Sequence, residues 1–259
     1  MSNSIHDSRV RINAISLLRA GLSNREVASQ LGVPVGTIGY WKHLDRQLHP
    51  EFYPLARWES CPACHGHTLD NSAYAYVLGL YLGDGHIIDK YKQHTLSIFC
   101  ADAWPGLIEA AEQAMRQVIP GPKTGRVQRK GCTEVKSYSR HWVCMLPQHG
   151  RGKKHERPIV LQEWQEYVVE QHTREFVRGL IHSDGCRVTN WTTRMVAGLK
   201  KRYEYPRYHF TNESGDIRNL FTGALDDLGI EWRYNNRNCI SVAKRDSVAA
   251  MDTFVGPKY

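Results

Sequence analysis

A nine-residue motif occurs twice in the sequence and constrains the fold more than any other feature. The stretch "VLGLYLGDG" ends at Gly85 and "VRGLIHSDG" ends at Gly185, and both share valine, glycine, leucine, aspartate and glycine in register. The two copies lie 100 positions apart, and each precedes a segment of similar pattern. The region from 71 to 259 is therefore predicted to be a diverged internal repeat.

The element order of each half follows from hydrophobic periodicity. A strand-like run follows each motif, "TLSIFC" in the first half and "YHFTNES" in the second. A helix with one apolar stripe comes next: Leu107, Ala111, Ala114, Met115 and Val118, or Ile217, Phe221, Ala224, Leu225 and Leu228. Two further strands are predicted after it, "GRVQRK" and "SRHWVCML" or "IEWRYNN" and "NCISVAK". Closing helices are predicted at 161–171 and 246–256, which gives an α+β fold.

Small residues on one face of each motif predict a close contact between the two helices. Gly79 and Gly83 are four residues apart, as are Gly179 and Ser183. Residues at this spacing share a helix face, and small side chains there let two backbones approach closely. Such a contact would also bring together the aspartates that end the two motifs.

Asp84 and Asp184 are electrostatically unfavourable where they stand, because the C-terminal end of a helix already carries partial negative charge. Two such carboxylates side by side require either bound cations or proton uptake. Oxygen ligands suit Mg²⁺, which takes few ligands from protein and others from phosphate. The pair therefore predicts a divalent metal site, for Mg²⁺ or Mn²⁺, at Asp84 and Asp184.

Residues 1–49 have the pattern of three short helices. Gly21 ends the first, Ser23 and Glu26 form a capping box for the second, and Gly32 ends it. A tight turn before the third helix is typical of a helix-turn-helix DNA-binding domain. The third helix would then contact DNA through Thr37, Tyr40 and Lys42, with Val35 and His43 beside them. The alternative is a small helical bundle without a role in DNA binding.

Residues 50–70 lose periodicity and are predicted to be a linker. Cys61, Cys64 and His67 could supply three ligands to Zn²⁺, but a closed structural site needs four. The alternative is a flexible linker with two reduced thiols. The chain has seven cysteines and no export signal, which favours free thiols and a cytoplasmic, nucleoid-associated protein.

The charge of the chain favours an anionic partner. The formal net charge is +8, and no apolar run approaches the length of a transmembrane helix. Nucleic acid is the first choice and an anionic membrane surface the second.

The two motifs resemble the signature helices of the LAGLIDADG homing endonucleases, and the resemblance covers residues 71–259. It implies a monomer with two pseudo-symmetric αββαββα halves, 71–160 and 161–259, whose curved sheets bind double-stranded DNA in the major groove. It further implies that Asp84 and Asp184 are metal-binding catalytic residues and that Gly79, Gly83, Gly179 and Ser183 form the helix interface. The sixth motif position, commonly acidic in the family, is Leu82 in one copy and His182 in the other.

Basic residues recur on the predicted strands of both halves and in the loop 149–157. The expected DNA contacts are Arg126, Arg129, Lys130, Lys153, Lys154, Arg207, Arg233 and Arg237. The resemblance implies one basic catalytic residue per half, and the last hairpins offer Lys136 and Lys244. The alternative for each cluster is a solvated charged surface, and the loop 149–157 would clamp phosphates or serve as an exposed tether.

These features favour sequence-specific binding of double-stranded DNA with metal-dependent phosphodiester hydrolysis. The main alternative is a non-cleaving transcriptional regulator built on the same fold. RNA processing is a further alternative, whereas the helix-turn-helix pattern and the ending "FVGPKY" disfavour an intein-embedded endonuclease.

Overall fold

The computed structural model describes residues 7–53, 61–66, 68–90, 93–256 and 258. The chain divides into two compact units, an N-terminal unit, Met1–Ala56, and a C-terminal unit, Arg57–Tyr259. Among the described residues no helix is both long and apolar enough to cross a lipid bilayer.

The N-terminal unit contains three helices, α1 (Ser8–Arg19), α2 (Asn24–Leu31) and α3 (Val35–Leu48). The capping box is present: the Ser23 hydroxyl accepts from the Glu26 N–H, and the Glu26 carboxylate accepts from the Ser23 N–H. Gly32 ends α2 with a left-handed φ of 64°, which glycine adopts without strain. The core of the unit is apolar, and its most buried members are Ala14, Leu18, Val27 and Ile38.

The C-terminal unit begins with a short helix, α4 (Pro62–His65). The first half follows as α5 (Asn71–Leu82), β1 (Gly85–Lys90), β2 (Gln93–Ala101), α6 (Pro105–Val118), β3 (Thr124–Arg129), β4 (Cys132–Tyr138) and α7 (Trp142–Met145). A bridging helix, α8 (Glu163–Gln171), leads to the second half. That half contains α9 (Thr173–Asp184), β5 (Gly185–Val196), β6 (Leu199–Thr211), α10 (Gly215–Asp227), β7 (Arg233–Asn236), β8 (Cys239–Val242) and α11 (Arg245–Asp252).

Each half therefore has the order αββαββα, as the repeat predicts. The described strands form two four-stranded antiparallel sheets, ordered β1-β2-β4-β3 and β5-β6-β8-β7. The predicted α+β class, with two similar halves, is confirmed.

One predicted strand of the first half is wrong. "SRHWVCML" contains the helix α7, and the fourth strand is the preceding segment, Cys132–Tyr138. Trp142 and Met145 are both buried and lie three residues apart, which is helical spacing. The predicted closing helix at 161–171 is the bridging helix α8, and α7 closes the first half instead.

The core of the C-terminal unit surrounds α5. Every residue from Ala73 to Leu82 is buried, so this helix is apolar on all sides. It packs against α9 on one side and α6 on another, and both sheets turn apolar side chains towards the same core. The two motif helices thus form the centre of the unit.

Candidate functional site

The two motif helices touch backbone to backbone. A Cβ atom on Gly79 would lie 2.6 Å from the carbonyl oxygen of Phe176, and one on Gly179 would lie 3.0 Å from the Cα of Gly79. Backbone atoms cannot move aside as a flexible side chain does. Both positions therefore require glycine.

The second pair of small residues lies one turn closer to the aspartates. A Cβ atom on Gly83 would lie 2.5 Å from the Cβ of Ser183 and 3.1 Å from the Cγ of Asp184. The Ser183 hydroxyl is 3.0 Å from the carbonyl oxygen of Gly179 and the same distance from that of Leu180. All four small residues chosen from the sequence thus lie in the contact between α5 and α9.

Asp84 and Asp184 are close enough to perturb each other. Burial raises the pKa of Asp184 to about 6; the charge of Asp84 adds to this, and a hydrogen bond from Asn212 acts against it. Part of the Asp84 side chain is exposed, but the surrounding protein still desolvates it and raises its pKa. The carboxylate pair is therefore held in a state that an additional cation would stabilise.

Two lysines reach the same region from the ends of the two halves. The Lys154 ammonium donates to the carbonyl oxygens of Tyr81, Leu82 (3.1 Å) and Gly83 (2.7 Å) at the C-terminal end of α5. Lys258 donates to the carbonyl oxygen of Gly185 at 2.7 Å, just after α9. These contacts place positive charge against the negative ends of both helices.

Burial lowers the pKa of both lysines, that of Lys154 to about 8, while the two aspartates raise them. Sequence reasoning chose Lys154 as a DNA contact, whereas its ammonium faces the helix end. It did not find Lys258 at all, because a single lysine far along the chain has no local pattern.

A cleft of about 610 Å³ lies beside Asp184. Its walls come from β1, from the loop 149–157 and from the segment after β6, through residues that include His86, His149, Lys154 and Asn212. Burial lowers the pKa of His86 and of His149. The loop is held in place by Lys154 and by Arg157, which donates to the Gln148 carbonyl oxygen, so it forms part of the cleft wall.

His182, at the motif position that is commonly acidic in the resembled family, has a structural role here. It is buried, and its Nδ1 lies 2.9 Å from the Tyr76 hydroxyl on α5 while its Nε2 lies 3.1 Å from the Val255 carbonyl oxygen. The hydroxyl donates to Nδ1, and Nε2 donates to the carbonyl. Burial lowers the pKa of His182 to about 4, so the ring is neutral and links the two motif helices.

Lys136 and Lys244 do not occupy equivalent positions in the two halves. Lys136 lies on β4 opposite Ser97, and the corresponding position of the second sheet is Ser241, opposite His209. Lys244 lies at the N-terminus of α11 and pairs with Glu231. The two lysines suggested by the sequence therefore do not lie at equivalent positions of the two halves.

The basic residues chosen in the first half are largely neutralised by neighbouring carboxylates. Arg126 pairs with Glu112 of α6 at 2.8 Å, and Arg129 pairs with Glu134 at 2.6 Å. Glu134 is only 2% exposed; burial raises its pKa, but hydrogen bonds from Arg129 and Lys136 outweigh this and lower it. Lys130 is exposed in the turn between β3 and β4.

The second half carries an exposed basic hairpin. In β5 and β6, Arg194 lies directly opposite Lys201, and both side chains are exposed. Like charges at opposite positions destabilise a sheet unless an anion lies between them. Arg233 and Arg237 are exposed on and beside β7, and the Arg207 guanidinium lies 5.7 Å from the Tyr205 ring.

In the N-terminal unit, Thr37, Tyr40 and Lys42 lie on α3. Tyr40 is 60% exposed. Lys153, the last predicted DNA contact, is exposed in the loop 149–157.

Of the predicted zinc ligands, Cys61 and Cys64 are described and His67 lies outside the described residues. The two cysteines come together with His141 and Cys144. All seven cysteines lie within the described residues, and none is in a disulfide.

Comparisons with known proteins find similarity among solved structures, at low sequence identity. No family model matches the sequence, and no curated protein matches it. The structure is similar to the homing endonuclease I-DmoI in complex with DNA and Mn, with a TM-score of 0.44 and 13% identity over 73% of this chain and 99% of that one.

Two other solved structures show a similar likeness. One is the LAGLIDADG meganuclease I-AabMI bound to uncleaved DNA, with a TM-score of 0.46 and 13% identity over 70% of this chain and 82% of that one. The other is the homing endonuclease I-WcaI bound to its DNA recognition sequence, with a TM-score of 0.44 and 12% identity over 74% of this chain and 83% of that one.

Proposed function

We propose that this protein is a sequence-specific, metal-dependent endonuclease that acts on double-stranded DNA as a monomer. The observation that carries the proposal is the pairing of Asp84 with Asp184 at the C-terminal ends of two touching helices. Burial, and after it the charge of Asp84, raises the pKa of Asp184, which disfavours the charged pair unless a cation binds.

The donor set fits a hard divalent cation. Asp84 and Asp184 would hold Mg²⁺ or Mn²⁺ through carboxylate oxygens, and the adjoining cleft leaves room for phosphate and water. A metal bound there would polarise a phosphodiester and lower the pKa of an attacking water. Asn212 orients the Asp184 carboxylate, and Lys154 and Lys258 hold the two helix ends in position.

The exposed basic hairpin of the second half supports DNA as the substrate. The opposed Arg194 and Lys201 on the β5–β6 hairpin suit a phosphate backbone, because an anion between them removes their repulsion. We assign residues 1–49 to a helix-turn-helix domain that reads DNA through α3, residues 50–70 to a linker, and residues 71–160 and 161–259 to the two catalytic halves. An enzyme of this kind would reside with the nucleoid in the cytoplasm.

A non-cleaving transcriptional regulator is the second candidate, and one observation favours it. The charges of Lys154 and Lys258 oppose the burial that raises the pKa values of both aspartates, so the carboxylates already have partial cationic partners. In that case the aspartates would be retained for folding.

The test first selects bound sequences from a randomised double-stranded DNA library and then assays the selected sequence for cleavage with Mg²⁺ or Mn²⁺. Asp84→Asn and Asp184→Asn are expected to lower the cleavage rate by at least about 100-fold, since even the outer partners of a metal ligand are worth about 10- to 100-fold. Asp227→Asn, on the exposed side of α10, is the matched control and should cut normally.

EDTA should abolish cleavage and leave binding of the selected sequence measurable. Tight binding by all four proteins with no cleavage under either metal would refute the endonuclease and support the regulator.

A further inference from the structure

Four potential metal ligands meet at one point of the C-terminal unit, away from the aspartates. The ligand atoms of Cys61, Cys64, His141 and Cys144 all lie within 4.8 Å of one another. The first two residues lie at α4 and the last two at α7, so segments 80 positions apart (141 − 61 = 80) converge there.

The distances fit a tetrahedral zinc ion. Zn–S bonds of about 2.3 Å and Zn–N bonds of about 2.0–2.1 Å imply that neighbouring ligand atoms lie about 3.5–3.8 Å apart. The Sγ of Cys144 lies 3.8 Å from the Nδ1 of His141. Three sulfurs and one imidazole nitrogen also match the ligand set of closed structural zinc sites.

Local geometry directs each pair of ligands to the same side of its helix. His141 and Cys144 are three residues apart, and the Cys144 N–H donates to the His141 carbonyl oxygen at 3.0 Å. Cys61 precedes Pro62 at the start of α4, and Gly66 ends that helix with a left-handed φ of 65°. The single helical turn between them places the sulfur of Cys64 beside that of Cys61.

Both helices are short enough that contacts outside the helix must hold them in place. α4 and α7 have four residues each, whereas isolated helices below about 12–15 residues are marginal in water. The closing helix of the second half, α11, has eight residues. Within the described part of the chain, no comparable group of three or more His, Cys, Asp or Glu ligand atoms lies beside α11.

We propose that Cys61, Cys64, His141 and Cys144 bind one structural Zn²⁺, which fastens the segment before α5 to the end of the first half. The predicted ligands Cys61 and Cys64 are thus joined by His141 and Cys144 rather than by His67. The site is independent of the proposed nuclease activity, since no ligand belongs to the aspartate cleft. Its role is to fix the start of α5, the central helix of the unit.

The test measures metal content by mass spectrometry in the full chain, purified under reducing conditions without chelators. We expect about one Zn²⁺ per chain in the wild type and less than about a tenth of that in Cys64→Ser and in His141→Ala. Cys64 is exposed, so its substitution should leave the fold intact, which circular dichroism checks. Cys186→Ser is the matched control, an exposed cysteine outside the cluster that should retain the zinc.

Two further readouts separate a real site from loss of folding. Reconstitution with Co²⁺ should give the visible absorption of a tetrahedral thiolate site in the wild type and in Cys186→Ser, and none in Cys64→Ser. A chelator should lower the melting temperature of the wild type but not that of Cys64→Ser. Absence of stoichiometric zinc even after anaerobic reconstitution, a bound iron–sulfur cluster, or full zinc retention in Cys64→Ser and His141→Ala would each overturn the proposal.

Discussion

The first hairpin of the second half is much longer than that of the first half. β1 and β2 have 6 and 9 residues, whereas β5 and β6 have 12 and 13. The turn of the longer hairpin is Ala197–Gly198, both with positive φ (52° and 74°), as in a two-residue type I′ turn. The motif helices α5 and α9, by contrast, have 12 residues each.

The partners of the basic side chains also differ between the first sheet and the longer hairpin of the second half. Arg126, Arg129 and Lys136 of the first sheet are paired with carboxylates, whereas Arg194 and Lys201 of the longer hairpin face each other. The contact between α5 and α9 restricts substitution in both halves equally, because Gly79 and Gly179 each lie against backbone atoms of the other half. Away from that contact each half has diverged: the second half carries the opposed basic pair, although Arg187, Arg202 and Lys244 there also have carboxylate partners.

The largest effect is expected from substitutions that disrupt the contact between α5 and α9. Gly179→Ala should destabilise the C-terminal unit by about 3 kcal/mol or more, since its Cβ would overlap the backbone of Tyr76 and Gly79, which cannot repack. Gly79→Ala should cost a similar amount, because it meets the backbone of Phe176 in the same way. Denaturant unfolding measures both.

Gly223→Ala is the matched control for these variants. Gly223 also lies in a helix, but a Cβ atom there meets no atom within 4 Å. This substitution should be neutral or stabilise by up to about 1 kcal/mol, as helix propensity predicts. Equal effects at positions 179 and 223 would show that the two motif helices are not in close contact.

The second-largest expected effect concerns the raised pKa of Asp184. The folded protein raises the pKa of Asp184 from 3.8 to about 6, so the folded state disfavours its charge. Stability should therefore fall as pH rises from about 4 to above 6, and Asp184→Asn should remove this loss. At pH 7.5 in EDTA we expect the variant to be more stable by about 1–2 kcal/mol, or about 2–6 °C in melting temperature.

The advantage of Asp184→Asn should disappear below pH 4, where the wild-type carboxyl group is protonated in both states. Added Mg²⁺ should raise the melting temperature of the wild type but not that of the variant. A variant that is less stable than the wild type at pH 7.5 would show that Asp184 is retained as a structural partner of Asn212.

Much of this architecture could be predicted because its signals are local or repeated. The motif, its small residues and the two aspartates could be predicted from the sequence. Glycine inside a helix and aspartate at its C-terminal end are both unfavourable unless a neighbouring group explains them. The strand Cys132–Tyr138 was missed because "SRHWVCML" is short and apolar, and periodicity does not separate a short strand from a short helix.

The missed site residues have a common property, which is that tertiary structure alone brings them to their sites. Lys258 reaches the end of α9 from the end of the chain, and His141 and Cys144 reach Cys61 from the end of the first half. The sequence indicated Lys154 as a functional residue but not the orientation of its side chain, because one sequence cannot show whether an ammonium faces solvent or a helix end. Spacing also suggested Lys136 and Lys244 as a pair, which the register of the two sheets does not support.

The smallest expected effect tests whether the longer hairpin of the second half binds the DNA backbone. Arg194 and Lys201 repel each other across β5 and β6, and phosphate would relieve that repulsion. Replacing both with glutamine should weaken binding of the selected DNA and reduce the slope of log K against log salt by about 1–2, at about 0.9 per phosphate contact. Arg116→Gln is the matched control, because Arg116 pairs with Glu112 of the first half at 2.6 Å, and its slope should equal that of the wild type. An unchanged slope in the double variant would place the phosphate contacts elsewhere and remove the functional difference between the two hairpins.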